Sequence, residues 1–324
     1  MDSNYIINRI FNINTNTFKE VVEEVYQFQF NNNQVFSKWS NLVEGSSSKI
    51  PFLPISFFKT HQITTTNFEA EQIFESSGTT KTNNSKHFVK EIDIYKTSFR
   101  KCFELNFGNI KEYCILGLLP SYLERNNSSL VLMVDDLIQF SNHQNSGFYL
   151  NNYDDLYDAL LKLENKHQKT LLIGVTYALL DFAEQFPLTL KNTIVMETGG
   201  MKGRKKEITS EEVHEYLKQQ FNIENVCSEY GMTELLSQAY SIENNRYYCP
   251  PWMKVFVRNE EDPLDVQEKG RGVINIIDLA NIYSCSFIAT DDVGEVFEDG
   301  SFTIYGRLDN SDLRGCSLML NQMI

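Results

Sequence analysis

Ser228-Glu229-Tyr230-Gly231-Met232-Thr233-Glu234 follows Asn225 to Cys227, a stretch that reads as a short strand. Between Tyr230 and Glu234 it offers an aromatic face, a hydroxyl and a carboxylate. Those three groups suffice to stack on a base, bind a phosphate oxygen and hold a hard cation. Upstream, short apolar runs at Tyr113 to Leu119, Leu130 to Val134, Leu171 to Val175 and Thr193 to Met196 read as buried strands. Helical patterns at Ile94 to Leu105, Tyr153 to Leu163 and Thr209 to Gln220 lie among them. The last opens on Thr209-Ser210-Glu211-Glu212, the spacing of a capping box. This alternation predicts α/β layers.

Residues 1 to 45 read as largely helical, with Phe18, Val21, Val22, Val25, Phe28 and Phe30 near helical spacing. From Trp252 onward the pattern is strands only: Val255 to Val257, Val273 to Ile277, Ser286 to Ala289, and a hairpin from Glu295 to Tyr305 turning at Asp299-Gly300. Two units are expected: residues 1–245 as an α/β core with a helical start, and 246–324 as a smaller β-rich subdomain with a C-terminal tail. Asparagine-rich points, among them Asn31 to Asn33 and Asn244-Asn245, read as loops or helix ends.

Composition narrows the function. The chain has 324 residues, 42% of them apolar, ample for a large core. With 29 Lys and Arg against 43 Asp and Glu it carries −14, which argues against nonspecific binding to nucleic acid or an anionic membrane. No basic-flanked apolar leader opens the sequence, and no stretch reaches the ~18 apolar residues needed to cross a bilayer. A cytoplasmic protein without a membrane span is expected. Six Cys (102, 114, 227, 249, 285, 316) form no CxxC pair and read mostly as reduced core thiols.

Four further stretches carry chemistry. Glu75-Ser76-Ser77-Gly78-Thr79-Thr80 sets four hydroxyls around one Gly, which suits oxyanions, although such clusters also make ordinary turns. Thr198-Gly199-Gly200-Met201-Lys202-Gly203-Arg204-Lys205-Lys206 follows a strand end, where α/β sheets bind flat ligands, and is locally basic; a solvated turn is the alternative. Thr290-Asp291-Asp292-Val293-Gly294 and Gly306-Arg307-Leu308-Asp309, the latter followed by Arg314-Gly315-Cys316, could each be a turn on their own.

In this order and spacing the five stretches resemble the core motifs of the adenylate-forming acyl-CoA synthetase superfamily. The form Ser-Ser-Gly-Thr-Thr, the Gly-Gly-Met-Lys-Gly-Arg run and the ending Arg-Gly-Cys-Ser look more like the acyl-protein synthetase (LuxE-like) branch, with phenylacetate-CoA ligase its nearest relative. The resemblance covers roughly residues 70 to 320. It implies the large core of the adenylate-forming fold without the usual mobile C-terminal lid domain, since the sequence given ends at Ile324.

The resemblance also implies roles. Ser76, Ser77, Gly78, Thr79 and Thr80 would embrace the phosphates of ATP, Gly199 and Gly200 would border the adenine, and Tyr230 would stack on it. Thr233 would contact the α-phosphate and Glu234 would hold Mg2+. Asp292 would grip the ribose, and Arg307 the ribose or phosphate. Cys316 would take the acyl group as a thioester and pass it to an acyl reductase partner. Fatty or other carboxylic acids would be the substrates. The rivals are an acyl-CoA ligase of phenylacetate type and a noncatalytic nucleotide-binding or scaffolding subunit. Departures are Lys81 and Asp291 in place of family glycines and Asn83-Asn84 in place of Pro-Lys. With no lid lysine, Lys86, Lys202 or Arg204 is left to supply positive charge. His87, His143, His167 and His214 read as surface or loop residues, and His87, beside the phosphate loop, is the one worth testing.

Overall fold

The computed structural model describes residues 3–43, 50–76, 84–120, 127–150, 152–199 and 209–308. The chain opens with helices α1 (Ser3–Phe11), α2 (Phe18–Asn32) and α3 (Gln34–Leu42), then strand β1 (Leu53–Pro54), the short helix α4 (Phe57–Thr60) and the hairpin β2 (Gln72–Glu75) with β3 (Lys86–Val89). The middle runs α5 (Ile92–Phe107), β4 (Cys114–Leu118), α6 (Ser129–Ser141), β5 (Gly147–Phe148), α7 (Tyr153–Asn165), β6 (Thr170–Gly174), α8 (Thr176–Gln185), β7 (Thr193–Glu197), α9 (Ser210–Phe221) and β8 (Cys227–Tyr230). Strands follow: β9 (Ala239–Ser241), β10 (Tyr247–Tyr248), β11 (Met253–Arg258), β12 (Val266–Gln267), β13 (Gly270–Asp278), β14 (Phe287–Val296) and β15 (Phe302–Arg307).

One sheet carries nearly all of them, in the order β12-β11-β13-β14-β15-β10-β9-β8-β7-β6-β4-β5. Strands β4 to β8 pair in parallel, and along the order from β8 to β12 successive neighbours are antiparallel, the parallel β1–β14 pair lying off that path. Parallel neighbours need helical crossovers, which is why the α/β alternation is confined to the middle of the chain. The antiparallel half needs only hairpins; Asn244 and Asn245, both at positive φ (58° and 52°), turn β9 into β10. The early strand β1 pairs with β14, so the N-terminal segment contributes to the same sheet as the last strands.

The sheet curls. Four interstrand steps separate β8 from β14, about 19 Å if flat, yet the Tyr230 hydroxyl lies 2.7 Å from the Asp292 carboxylate. Inside that curl Tyr230 meets Phe302 edge-on at 5.4 Å and Tyr247 at 5.8 Å, while Tyr247 and Phe302 stack at 5.3 Å. The strand twist that bends the sheet is thereby filled with aromatic rings rather than left hollow.

Two expectations are corrected. Leu130 to Val134 belongs to the helix α6, not to a strand: Ser128 caps its start by accepting from the Val131 amide, and Met133, Val134, Leu137 and Ser141 are buried at helical spacing. A short apolar run has no period of its own, and the cap decides it. The segment Thr290 to Gly294 is no turn, and Ser286–Ala289 and Glu295–Phe297 are not separate strands, because β14 runs unbroken through it. Gly294 is required there: a Cβ would collide with the Thr303 carbonyl at a register shift between β14 and β15. The capping box is formed, with Glu212 N donating to Thr209 Oγ1 at 3.2 Å and Thr209 N to Glu212 Oε2 at 2.7 Å.

The N-terminal helices brace a single turn. Gln29 on α2, fully buried, donates to the carbonyls of Asn281 and Ile282 and accepts from the Ser286 amide, while Asn33 and Thr65 both donate to the Ser284 carbonyl. Buried backbone groups of an irregular segment must find partners, and here side chains from far upstream supply them.

Candidate active site

Strands β7 and β8 lie side by side, with Glu197 opposite Ser228, so the Gly199 loop and the Tyr230 loop leave the same C-terminal edge of the parallel strands. Ligands of α/β sheets lie at that edge. Gly199 has φ +51°, and among the described residues nothing lies within 4 Å of where its Cβ would be. The Thr198 hydroxyl beside it is buried and has no partner among the described residues. An open glycine cradle next to an unspent hydroxyl fits a flat, polar ring such as adenine.

Asp292 forms the second part. It is buried on β14 directly opposite Arg307 on β15, and its carboxylate accepts from Arg307 Nε at 2.7 Å and Tyr230 Oη at 2.7 Å. Burial, and then the Asp292 charge, push the Tyr230 phenol well up, so it keeps the proton it donates. Asp291, where the motif resemblance leads one to expect glycine, is in strand conformation, and its carbonyl accepts from the Leu308 amide at 2.8 Å. A glycine's freedom is not needed there.

Glu234 forms the third. It is buried, and burial raises its pKa; a hydrogen bond from Ser85 and the nearby charges of Arg307 and Lys59 pull the other way. Among the described residues it makes no direct ion pair, and the two cations act on it only from a distance, so the carboxylate has lost water without gaining a contact counter-ion. The Ser85 contact ties it to the mouth of the phosphate loop, where the Ser85 amide donates to Ser76 Oγ at 2.9 Å and the Ser76 amide to the Ser85 carbonyl at 3.1 Å. Among the described residues no group of three or more His, Cys, Asp or Glu is arranged to hold a metal. One desolvated carboxylate beside the Ser76–Ser85 neck nonetheless fits Mg2+, which takes one or two carboxylates and completes its shell with water and other oxygen ligands.

The loop bearing Thr233 and Glu234 is pinned to the turn Asp278 to Ser284. Asp278 accepts from the amides of Leu236 and Ser237 and from Ser237 Oγ, and Asn281 Nδ2 donates to the Glu234 carbonyl at 2.7 Å. His87 completes the set: Nδ1 lies 2.9 Å from the Thr233 carbonyl and Nε2 2.9 Å from Ser284 Oγ.

Thus Tyr230, Asp292 and Arg307 meet at the curled edge, Gly199 leaves the neighbouring strand end, and Ser85 links Glu234, next to Thr233, to Ser76 at the end of the separate β2–β3 hairpin. Ser77, Gly78, Thr79, Thr80, Gly200, Lys202, Arg204 and Cys316 lie outside the described residues. Lys86 is exposed and pairs with Glu75 at 3.6 Å. Two histidine expectations are overturned. His87 is buried at 1% exposure on β3, and His214 is buried on α9 beside Ser228 (3.1 Å) and Glu197. Sequence reasoning also missed the bracing roles of Asp278, Asn281, Gln29 and Asn33; Asn33 caps α3 locally, but the partners that tie these four to distant segments leave no local signal.

The profile of the LuxE acyl-protein synthetase family matches residues 10–324. The chain belongs to this family. No curated protein matches it. Among solved structures, this LuxE-family chain is similar to ATP-bound MatB from Rhodopseudomonas palustris (TM-score 0.56, 16% identity, covering 72% of this chain and 47% of MatB). It is also similar to MenE, the O-succinylbenzoate coenzyme A synthetase of Bacillus subtilis in complex with AMP (TM-score 0.53, 16% identity, 75% of this chain and 50% of MenE). At such identities the likeness shows the adenylate-forming core fold, and the chain spans about half the length of these structures. Among the described residues no helix is long and apolar enough to cross a membrane.

Proposed function

We propose that this LuxE-family chain acts in the cytoplasm and uses ATP and Mg2+ to turn a fatty or other carboxylic acid into an acyl adenylate. It then passes the acyl group to Cys316 and on to a partner acyl reductase. The observation that carries this reading is the convergence of Tyr230, Asp292 and Arg307 at the strand edge from which the Gly199 loop also leaves, with Glu234 tied to the mouth of the phosphate loop.

In the first step a carboxylate oxygen of the acid attacks the α-phosphorus. The new P–O bond forms as the bond to the β-phosphate oxygen breaks, and pyrophosphate leaves with the electron pair. Two anions must meet, so positive charge is needed where they do. Mg2+ on Glu234 would supply Lewis-acid charge to the phosphates. Asp292 would accept from the ribose hydroxyls through lone pairs left free by Tyr230 and Arg307, since a carboxylate offers about four acceptor sites. Thr233 would donate to the α-phosphate. In the second step a thiolate sulfur attacks the acyl carbon, the C–S bond forms, and AMP leaves.

The other five cysteines support Cys316 as the acceptor. Cys102, Cys114, Cys227 and Cys285 are buried and Cys249 is half-buried. Burial pushes all five thiols up, Cys114 to about 11 and Cys227 and Cys285 to about 12, which suppresses the thiolate that would act as nucleophile. The test is to incubate the protein with ATP, Mg2+ and radiolabelled fatty acids of several lengths, then treat it with hydroxylamine. Hydroxylamine-sensitive label on the wild type and none on Cys316→Ser is the expected result. Label on neither, with acyl-CoA formed when coenzyme A is added, would assign the chain to the acyl-CoA ligases instead.

A further inference from the structure

His87 stands two residues after Ser85, on the strand that leaves the phosphate loop, and its ring reaches the loop bearing the carboxylate. A carbonyl oxygen can only accept, so the 2.9 Å contact with Thr233 O puts the ring proton on Nδ1. Nε2 is then an acceptor, and the 2.9 Å contact with Ser284 makes the serine hydroxyl its donor. Both ring nitrogens are spent and the tautomer is fixed. The ring is also packed edge-on against Phe58 at 5.9 Å. Desolvation lowers its pKa to about 4, so the buried ring is neutral at physiological pH.

The loop 233–237 is held to the turn Asp278 to Ser284 at several points, through Asp278, Asn281 and the His87–Ser284 link. Asp278 and Asn281 belong to the turn itself. His87 alone among these three side chains also rides on β3, whose first residue follows the Ser76–Ser85 neck directly. We propose that His87 is a positioning residue: by donating from Nδ1 to the Thr233 carbonyl it sets Thr233 and Glu234 relative to β3 and the Ser76–Ser85 neck. This rests on the adenylating function proposed above. A buried histidine kept only to fill space would leave the loop's placement unchanged when its hydrogen bonds are rearranged; a positioning histidine would not.

Asn and Gln separate the two bonds. Asn carries its amide nitrogen where histidine carries Nδ1 and can keep the bond to Thr233, whereas Gln extends to the Nε2 position and keeps only the Ser284 contact. Asn leaves the larger gap, so a greater loss in Gln cannot come from lost volume, and Ser284→Ala removes the second bond while leaving the imidazole in place. In acid-dependent exchange of pyrophosphate into ATP, His87→Gln is expected to lower kcat on the order of tenfold or more, the scale of a misplaced reacting group. His87→Asn and Ser284→Ala are expected to stay within about threefold, and the KM for ATP to change less than about threefold in all three.

Amide hydrogen exchange across residues 233–237 of the full chain reads the placement without any activity: His87→Gln should exchange faster than His87→Asn. Equal kcat losses and equal exchange in the Asn and Gln variants would overturn the proposal. Should the wild type fail to exchange pyrophosphate with any acid, the functional reading falls, and the amide-exchange comparison still decides whether His87 holds the loop.

Discussion

Asp292 and Glu234 are both buried carboxylates at the same curled edge, and their surroundings are opposite. Asp292 is fully provided for: an arginine on the neighbouring strand and a buried phenol each give it a hydrogen bond at 2.7 Å. Glu234 has a serine hydroxyl and two cations at a distance, and burial raises its pKa. A carboxylate already satisfied is rigid and ready to orient a neutral ligand through its remaining lone pairs. A carboxylate stripped of water and left without a counter-ion gains most from an arriving cation. The difference supports the proposal that the first orients the nucleotide and the second holds the metal.

Glu234→Gln should break that contrast most severely. An amide keeps the shape and loses the charge that would hold Mg2+, so adenylation should fall on the order of 10²-fold or more. ATP binding measured without metal should stay within a few fold. Equal loss of ATP affinity with and without Mg2+ would place Glu234 in orientation rather than metal binding.

Substitutions around Asp292 should act on affinity. Tyr230→Phe removes one hydrogen bond to a buried charge, a loss of about 1.5–3 kcal/mol, and Arg307→Lys removes the planar donor. Each should raise the KM for ATP roughly tenfold with little change in kcat. The double variant should lose less than the sum, because both act through one carboxylate. Full additivity would mean that they do not share it.

Glu229 sharpens the comparison from a neighbouring position. It is half-buried, its carboxylate makes no hydrogen bond or ion pair among the described residues, and burial followed by the charge of Glu197 pushes its pKa from 4.5 to about 8. The folded protein therefore keeps this proton up to about pH 8, whereas the unfolded chain releases it above about 4.5. The folded state binds more protons across that window, so this residue makes stability fall as pH rises through it. Glu229→Gln should remove that slope, leaving stability unchanged near pH 4 and higher at pH 8 by on the order of 1–2 kcal/mol once solvent screening is allowed for. Denaturant melts at the two pH values check it, and parallel profiles for wild type and variant would contradict it.

Much of this site was legible in the sequence because its residues sit at strand ends. Thr198-Gly199 and Tyr230-Gly231 follow runs whose apolar character marked the strands, and Arg307 closes a hairpin announced by Asp299-Gly300. The Thr209 capping box was legible because both partners lie within one helical turn. Two failures were local and the rest long-range. The apolar run in α6 reads as a strand because so short a run has no period of its own, and in β14 an acidic, turn-like Thr-Asp-Asp-Val-Gly lies within a continuous strand. His87 and Gln29 find their partners 146 and more than 250 residues away, and no spacing rule reaches that far.

The central claim is that the curled edge activates a carboxylic acid with ATP. Exchange of labelled pyrophosphate into ATP tests it most directly, run on the purified chain with a series of fatty acids. The account predicts exchange that requires both acid and Mg2+ and is lost in Glu234→Gln. ATP binding without exchange for any carboxylic acid would contradict it and would leave the chain a nucleotide-binding subunit rather than a ligase.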